Sequence, residues 1–460
     1  MSHIIQKQIL ELTLNEGPNK EALKDDMAHR LKQEVLPALN DFFNELIPEN
    51  TIWKIDKLEL DLGQVKPENF SKELIRQLRQ KLKPDIEPVN GEKALEIISS
   101  KQGVFEQFLY FLKHGHFSWN ANGATLSQME AELPALAKEL EKSQRVKLVK
   151  GLSEKASLER FEKQFSLKFQ LAIALELIPT RGFKRLFRFL EKSLPAMFFA
   201  KMPAIALSAY SFNPDIKRPE NFLVQLLNGL EYALGFSAVA KEEFRKELLA
   251  KAKVEDQKTF ELIEAAIQEL QKQKSETSKK KEETEPTETE TEPTDRIYIK
   301  NAGMVLLWPY LERFFENLKL VSNGEFISRK AREKAVCLLQ SLVDPESEIA
   351  ENQLPLNKIL CGMDVAELVP TAKVEISDED LAAEDELLEA VISNWSKIGN
   401  TSVQGFQTSF MQREGRMENT EEGWKLLVEQ RSFDVLLDSL PWNITLIKLP
   451  WMPKPLHVEW

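Results

Sequence analysis

The sequence predicts a mainly α, multidomain protein with a small α/β unit at its N-terminus and a short β segment at its C-terminus. Three observations carry this expectation. Three- and four-residue apolar spacing dominates residues 94–270, two period-two runs flank a helical stripe near the start, and Lys272 to Arg296 holds no large apolar residue. The divisions that follow are 1–90, a small α/β unit; 91–271, a helical domain; 272–296, a disordered acidic linker; and 297–460, a mostly helical C-terminal domain ending in a Trp/Pro-rich extended tail. With 460 residues and 42% hydrophobic content the chain can fill two or three cores at about 100–200 residues each.

In the N-terminal unit, Ile4 to Leu14 alternates Leu10, Leu12 and Leu14 with Glu11 and Thr13. Ile52 to Leu62 sets Leu58, Leu60 and Leu62 against Lys57, Glu59 and Asp61 before Gly63 ends the run. Successive side chains of a strand point to opposite faces, so both runs read as half-buried strands. Between them Leu23, Met27, Leu31, Val35, Leu39, Phe42 and Leu46 recur at helical spacing, with a bend expected at Pro37. Phe70, Leu74, Leu78 and Leu82 then repeat every four residues and complete a β-α-β-α order whose strands could pair in either direction. Two strands alone are marginal in water, so this sheet needs helices on one face or a second copy beside it.

From Ala94 to Leu270 the period is helical. Ile97, Phe105, Phe108, Leu109 and Leu112 make one apolar face, and Leu171, Leu175 and Leu177 another that Pro179 ends. Short helices of about 10–15 residues joined at Gly or Pro imply a stacked helical domain. The stretch that follows runs from Lys279, Lys280 and Lys281 into alternating Glu, Thr and Pro. Ser275 to Asp295 carries eight acidic residues against three lysines, −5 of the chain's net −12. Such a segment cannot bury enough surface to offset its ordering entropy, and is expected to be a flexible tether between two folded halves.

Past the tether, Met304, Leu307, Trp308, Leu311, Phe314, Phe315 and Leu318 share a helical face between Ile297 and Leu320, with Pro309 marking a first turn or a kink. Ala331 to Leu342 continues as helix. Ser377 caps a third helix, which opens on Asp378, Glu379 and Asp380 and runs to about Trp395. Trp424 to Leu437 reads as strand, helix or both, and a terminal antiparallel pair is expected across Pro441. In the tail, Leu440-Pro441-Trp442 recurs as Leu449-Pro450-Trp451, and the sequence stops on Val458-Glu459-Trp460. Tryptophans pinned by prolines in a non-helical segment must be covered by something. Either the tail closes the protein's own core or it offers anchors to a partner. Trp308, Trp442, Trp451 and Trp460 are the candidate anchors for either use.

No catalytic, cofactor-binding or metal-binding residues are expected. Glycine is sparse, 17 in the chain, with neither a Gly-x-Gly-x-x-Gly run nor a Gly-Lys-Ser/Thr loop to let backbone approach phosphate. His114 and His116 are the one close histidine pair; on a loop they could share a metal, but two ligands without a third nearby leave the geometry open, and they read as exposed turn residues flanking Gly115. Cys337 and Cys361 sit beside apolar neighbours at no metal-ligand spacing, which suits small buried residues in a reducing compartment. The acidic group Asp378 to Glu389 lacks the Gly-turned order of a calcium loop. Arg181, Lys184, Arg185 and Arg188, interleaved with Phe183, Phe187 and Phe189, read as the solvated side of an amphipathic helix. The net negative charge argues against binding nucleic acid or anionic lipid. No apolar run approaches the roughly 18–20 residues of a membrane helix, and no basic-then-apolar secretory signal opens the sequence.

Several ordered motifs resemble the bacterial contractile injection system tape measure family. They are Lys300-Asn301-Ala302-Gly303 with Leu306 to Tyr310, Ala335 to Gln340, Leu356-Asn357-Lys358 with Leu360-Cys361-Gly362, Phe410 to Gly415, Asp434 to Trp442, Lys448 to Met452 and Val458-Glu459-Trp460. In the N-terminal half, Ile55 to Gly63 and Phe111 to Trp119 join them. The resemblance covers both halves and skips the tether. It implies a non-enzymatic structural component of an extracellular, phage-tail-like contractile particle, without cofactors, that fixes tube length from within the lumen. Its implied partners are other proteins of the particle (tube, baseplate or cap components), with no nucleic acid or membrane. The implied location is cytoplasmic during assembly and then within the injection particle. A ruler should be an extended thread, and 460 residues as one helix would span about 690 Å. Prolines, turns and two globular halves fit a second reading better: a globular assembly factor or adaptor that binds another tail component through the C-terminal domain.

Overall fold

The computed structural model describes residues 3, 5, 11, 26–27, 29–55, 58–66, 69–82, 96–118, 121, 125–178, 183–212, 219–276 and 296–460. By contact the chain divides into two compact units, Met1–Glu106 with Asn120–Gly123, and Gln107–Trp119 with Ala124–Trp460. Helix dominates, and the described residues form eighteen α-helices with a few small sheets.

In the first unit, a widened π turn at Leu31–Val35 leads into α1 (Leu36–Leu46), with Pro37 in its first turn. Proline has no N–H to give the carbonyl four residues back, and just ahead of it the Leu36 N–H reaches five residues back to Leu31 O. A local change of helical register thus stands where a bend was expected. Val35, Leu39 and Phe42 pack against Phe70, Leu78 and Leu82 at α2 (Phe70–Lys81) and its end. The strand expected over 52–62 is shorter. β1 covers Thr51–Lys54 and pairs antiparallel with β2 (Glu96–Ser99), while residues 58–66 form no strand. Leu58, Leu60 and Leu62 still alternate in burial, because they lie extended against the α1–α2 cluster. Alternation reports a chain with one covered face, and that does not require a ladder.

The helical face assigned to Ile97 is also corrected. Ile97 lies in β2 opposite Trp53 and is 50% exposed, whereas Ile98 is 5% exposed. The paired β-branched residues hold the chain extended until Ser99, whose Oγ accepts from the Gln102 N–H and opens the next helix. The expected strand Ile4 to Leu14 lies outside the described residues apart from Ile5 and Glu11.

The second unit takes up α3 (Ser100–His114) from Gln107 onward and stacks short helices: α4 (Leu126–Glu139), α5 (Lys142–Ser153), α6 (Lys155–Gln164), α7 (Leu167–Leu177), α8 (Phe183–Ser193), α9 (Ala196–Phe199), α10 (Met202–Phe212), α11 (Pro219–Ala233), α12 (Ala238–Glu255) and α13 (Gln257–Glu276). Side-chain caps start several of them: Thr125 in a capping box with Gln128, Ser166 on Phe169 and Ser237 on Ala240. α4 packs on α7, α5 on α10, and α13 on both α11 and α12. Phe108, Phe161, Phe165 and Phe169 interlock at the start of this stack, with ring centroids 4.9–6.3 Å apart. On α8, Phe183, Phe187 and Phe189 face inward while Lys184, Arg185 and Arg188 stay exposed; Arg181 is outside the described residues. α13 continues to Glu276, so residues 272–276 of the expected linker are helical, and 277–295 are not described.

The C-terminal half begins with a strand where a helical stripe was expected: β3 (Ile297–Ile299), then a 3-10 turn, Ala302–Leu307, and only then α14 (Trp308–Asn317), with Pro309 in its first turn. β4 (Val321–Ser322) and β5 (Glu325–Phe326) form a hairpin before α15 (Arg329–Val343), and α16 (Pro355–Leu360) follows. α17 (Asp378–Asn394) starts at a capping box of Ser377 and Asp380, and α18 (Val403–Phe406) leads toward the sheet. β6 (Gly415–Thr420), β7 (Gly423–Val428), β8 (Leu446–Ile447) and β9 (Leu456–Glu459) join β3 in the order β3-β6-β7-β9-β8. The antiparallel pair expected across Pro441 does not form, because β9 lies between β7 and β8. β9 runs parallel to β7 and antiparallel to β8, and the turn before β9 holds Pro450 and Pro453. The 3-10 turn Asp434–Ser439 and Trp442 carry the chain away from the β7 edge and leave it open for β9.

Candidate functional site in the C-terminal half

The four candidate tryptophans divide by burial. Trp451 is 9% exposed; its ring meets Phe326 at 5.0 Å and Phe315 at 5.8 Å, and its Nε1 donates to Leu360 O at 2.8 Å. The backbone carbonyl of Trp451 approaches Gly362 so closely that a Cβ there would sit 2.3 Å from the oxygen, and Gly362 has φ +67°. Only glycine fits both demands. Trp308, Trp442 and Trp460 are half-buried. Trp308 Nε1 donates to Asn443 O at 2.8 Å, and Trp442 Nε1 donates to Leu306 O at 3.1 Å with its ring edge-on to Tyr310. These two bonds tie the start of the half to its tail.

Trp460 closes a charged pocket. Arg413 is fully buried, its Nη2 2.5 Å from Asp434 Oδ1 and its Nε donating to Ser409 O at 2.7 Å. Its guanidinium lies 4.8 Å from the Phe433 ring centre and 5.6 Å from that of Trp460, whose Nε1 donates to Asp434 Oδ2 at 3.0 Å. Arginine suits this place because a planar cation can stack on rings while its fork holds a carboxylate. Phe433 and Val435, on either side of Asp434, are exposed, and Phe433 shares the Arg413 guanidinium with Trp460.

A second buried polar system was not anticipated. Asn301 Nδ2 donates to Gln340 Oε1 at 2.8 Å and Asn357 Oδ1 at 2.9 Å, and Asn357 Nδ2 donates to Val336 O at 3.1 Å. Next to Asn357, Lys358 is fully buried, its Nζ 3.0 Å from Glu351 Oε1 and 2.9 Å from Val365 O. Burial pulls the Lys358 ammonium below the usual lysine range, against the opposing pull of Glu351. Glu351 also meets Arg160 of α6, Nε to Oε2 at 3.1 Å. The one sequence signal for Arg160 is its phase: Ser157, Arg160 and Phe161 occupy the buried side of α6. Nothing in the sequence pairs it with Glu351, 191 residues away.

Elsewhere the chemistry is quiet. The reading of His114 and His116 as exposed turn residues is corrected: His116 is buried, and the two rings lie on Tyr110 at 4.3 and 5.5 Å. Cys337 and Cys361 are free and buried, and desolvation raises both thiols, Cys337 to about 12. Glu384 on α17 is pushed up to about 8 by burial, although Ser341 Oγ donates to it at 2.8 Å and pulls the other way. Neighbouring Asp380 is raised by burial, but the Lys334 ammonium and Ser377 outweigh this and leave it lowered. Among the described residues no group of three or more His, Cys, Asp or Glu could hold a metal ion, and no helix is long and apolar enough to cross a membrane.

The family model described as contractile injection system tape measure protein matches residues 2–460. No curated protein and no solved structure matches the chain.

Proposed function

Because the chain belongs to the contractile injection system tape measure protein family, whose members associate with other components of the injection particle, we propose that it is a non-enzymatic assembly component acting as a folded body. The observation that supports this most is the weave of the C-terminal half. β9 is paired on both edges, inside the sheet, and the core cluster beneath it is drawn from residues 297–458 alone. A body completed in this way presents surfaces rather than a thread. The half-buried Trp460 and the exposed Phe433, stacked on one guanidinium, are the aromatic groups that best suit a tube, baseplate or cap protein. Trp451 serves the core in this reading. Assembly takes place in the cytoplasm.

The match over the whole chain favours a second reading, in which the protein sets tube length. The longest helix among the described residues, α13, has 20 residues and spans about 30 Å, so a length-setting role requires the fold to open. In-frame deletions within residues 94–270 separate the two. Unchanged particle length by negative-stain microscopy, with Trp460→Ala losing a particle component on co-purification, supports the folded adaptor. Length that falls in proportion to the deletion overturns it.

A further inference from the structure

The chain on either side of residues 277–295 meets in a contact that contains fully buried charged groups. The C-terminal cluster contains no residue from before Ile297. From α6, Arg160 and Gln164 bond to the 351–369 segment. Arg160, Glu351 and Lys358 are each fully buried. Arg160 Nε donates to Glu351 Oε2 at 3.1 Å; Nη2 donates to Ala366 O and Nη1 to Leu112 O, so the guanidinium bridges α3 of the helical stack and the 351–369 segment. One turn further along α6, Gln164 Nε2 donates to Val369 O at 2.9 Å. Gly115, with φ +77°, leaves room for the cluster, since a Cβ there would lie 3.0 Å from Arg160 Nη2 and 3.1 Å from Glu351 Oε1. Two basic side chains and one carboxylate give the trio a formal charge of +1, with backbone carbonyls from both sides taking further donors.

We infer that residues 297–460 carry a guanidinium socket, formed by Glu351 and the Ala366 and Val369 carbonyls, that docks the helical segment 107–276 through Arg160 and Gln164 without help from the connecting chain. A planar cation fixed by a carboxylate and carbonyls is directional, so the socket sets which face of the stack is accepted. Lys358 stands behind Glu351 and keeps the carboxylate paired when Arg160 leaves, so the C-terminal core survives an open state. The contact lies inside the compact unit of Gln107–Trp119 with Ala124–Trp460, and is the place where that unit can part without unfolding either side. The inference holds for the adaptor and the length-setting readings alike.

The test uses the full chain with a site-specific protease sequence inserted within residues 277–295, purified intact and then cut. Both fragments are expected to co-elute in one gel-filtration peak at micromolar concentration; separation of the uncoupled fragments overturns the inference. In the cut Arg160→Met protein, removal of one partner of a buried charge pair is expected to weaken fragment association by about 100-fold on dilution. Before cutting, the variant should melt cooperatively with unchanged helicity. If Arg160→Met fails to fold, Glu351→Gln and Gln164→Ala serve instead, with about 10-fold weakening expected of each. Fragments of the variants that hold together as tightly as the parent pair show that the socket does not dock them.

Discussion

The β1–β2 sheet and the five-stranded C-terminal sheet are both narrow, and the regions around them differ in how tryptophans are anchored. Trp53 on β1 is half-buried, and its Nε1 finds no hydrogen-bond partner. In the C-terminal half, Trp308, Trp395, Trp442, Trp451 and Trp460 each donate to an oxygen from a distant segment, as far as 136 residues away for Trp442. The first unit is held by helices close in sequence to its strands. The second half is closed by segments that meet only once nearly all of it has been made. Local structure thus shapes the N-terminal unit, while non-local anchors fix the C-terminal half and leave it sensitive to single changes there.

The sharpest way to break this contrast is Trp451→Ala. It empties a site lined by Phe315 and Phe326 and leaves Leu360 O without its donor, so a loss of about 3–5 kcal/mol is expected in the transition of the C-terminal half. Peptides from β1 and α1 should keep their hydrogen-exchange rates. Gly362→Ala attacks the same closure from the backbone side and should cost about 2–3 kcal/mol by chemical denaturation, from positive φ together with the Trp451 carbonyl.

A smaller, pH-dependent effect belongs to Glu384. Its folded pKa of about 8 lies above the ordinary 4.5, so the stability it contributes when protonated is fully present below about pH 4.5 and is lost as pH rises through about 8. Glu384→Gln should leave thermal stability at pH 5 nearly unchanged and raise it at pH 8.5, by on the order of 1–3 kcal/mol. A melting temperature that falls equally at both pH values would refute this. The smallest expected effect lies at the other end of the comparison. Trp53→Phe removes an unpaired donor and should change stability by less than about 0.5–1 kcal/mol, measured as the denaturation midpoint of the N-terminal transition.

Periodicity read the helices of 94–270 well, because each buries one face at 3.6-residue spacing, as α8 does with Phe183, Phe187 and Leu190. The Ser377 cap was legible for the same local reason. Short strands were not. Ile97 and Ile98 fit a helix or a strand equally until Trp53 and Ile52 stand opposite them. The place of β9 depends on a parallel pairing with β7, about thirty residues earlier, which no local pattern encodes. For the site, the tail tryptophans announced themselves by composition, but only geometry separated Trp451 from Trp460. Apart from the helical phase of Arg160, nothing in sequence marks Arg160 and Arg413 as buried, and each is fully buried where a carboxylate from further along the chain meets it.

The motifs quoted for the family resemblance fall on the same anchors. Asn301, Gln340 and Asn357 form one buried network, Lys358 backs Glu351, Gly362 admits the Trp451 carbonyl, and Arg413, Asp434 and Trp460 close the pocket at the sheet's end. These residues hold a shape.

Native-state hydrogen exchange read by mass spectrometry tests most directly whether the C-terminal half is a body closed by its own tail. The amides of residues 456–459 should exchange as slowly as those of β6 and β7, with the whole sheet opening in one step. Exchange of 456–459 within seconds while residues 415–428 stay protected would show the tail to be unlatched, and the account of a finished folded body would fail.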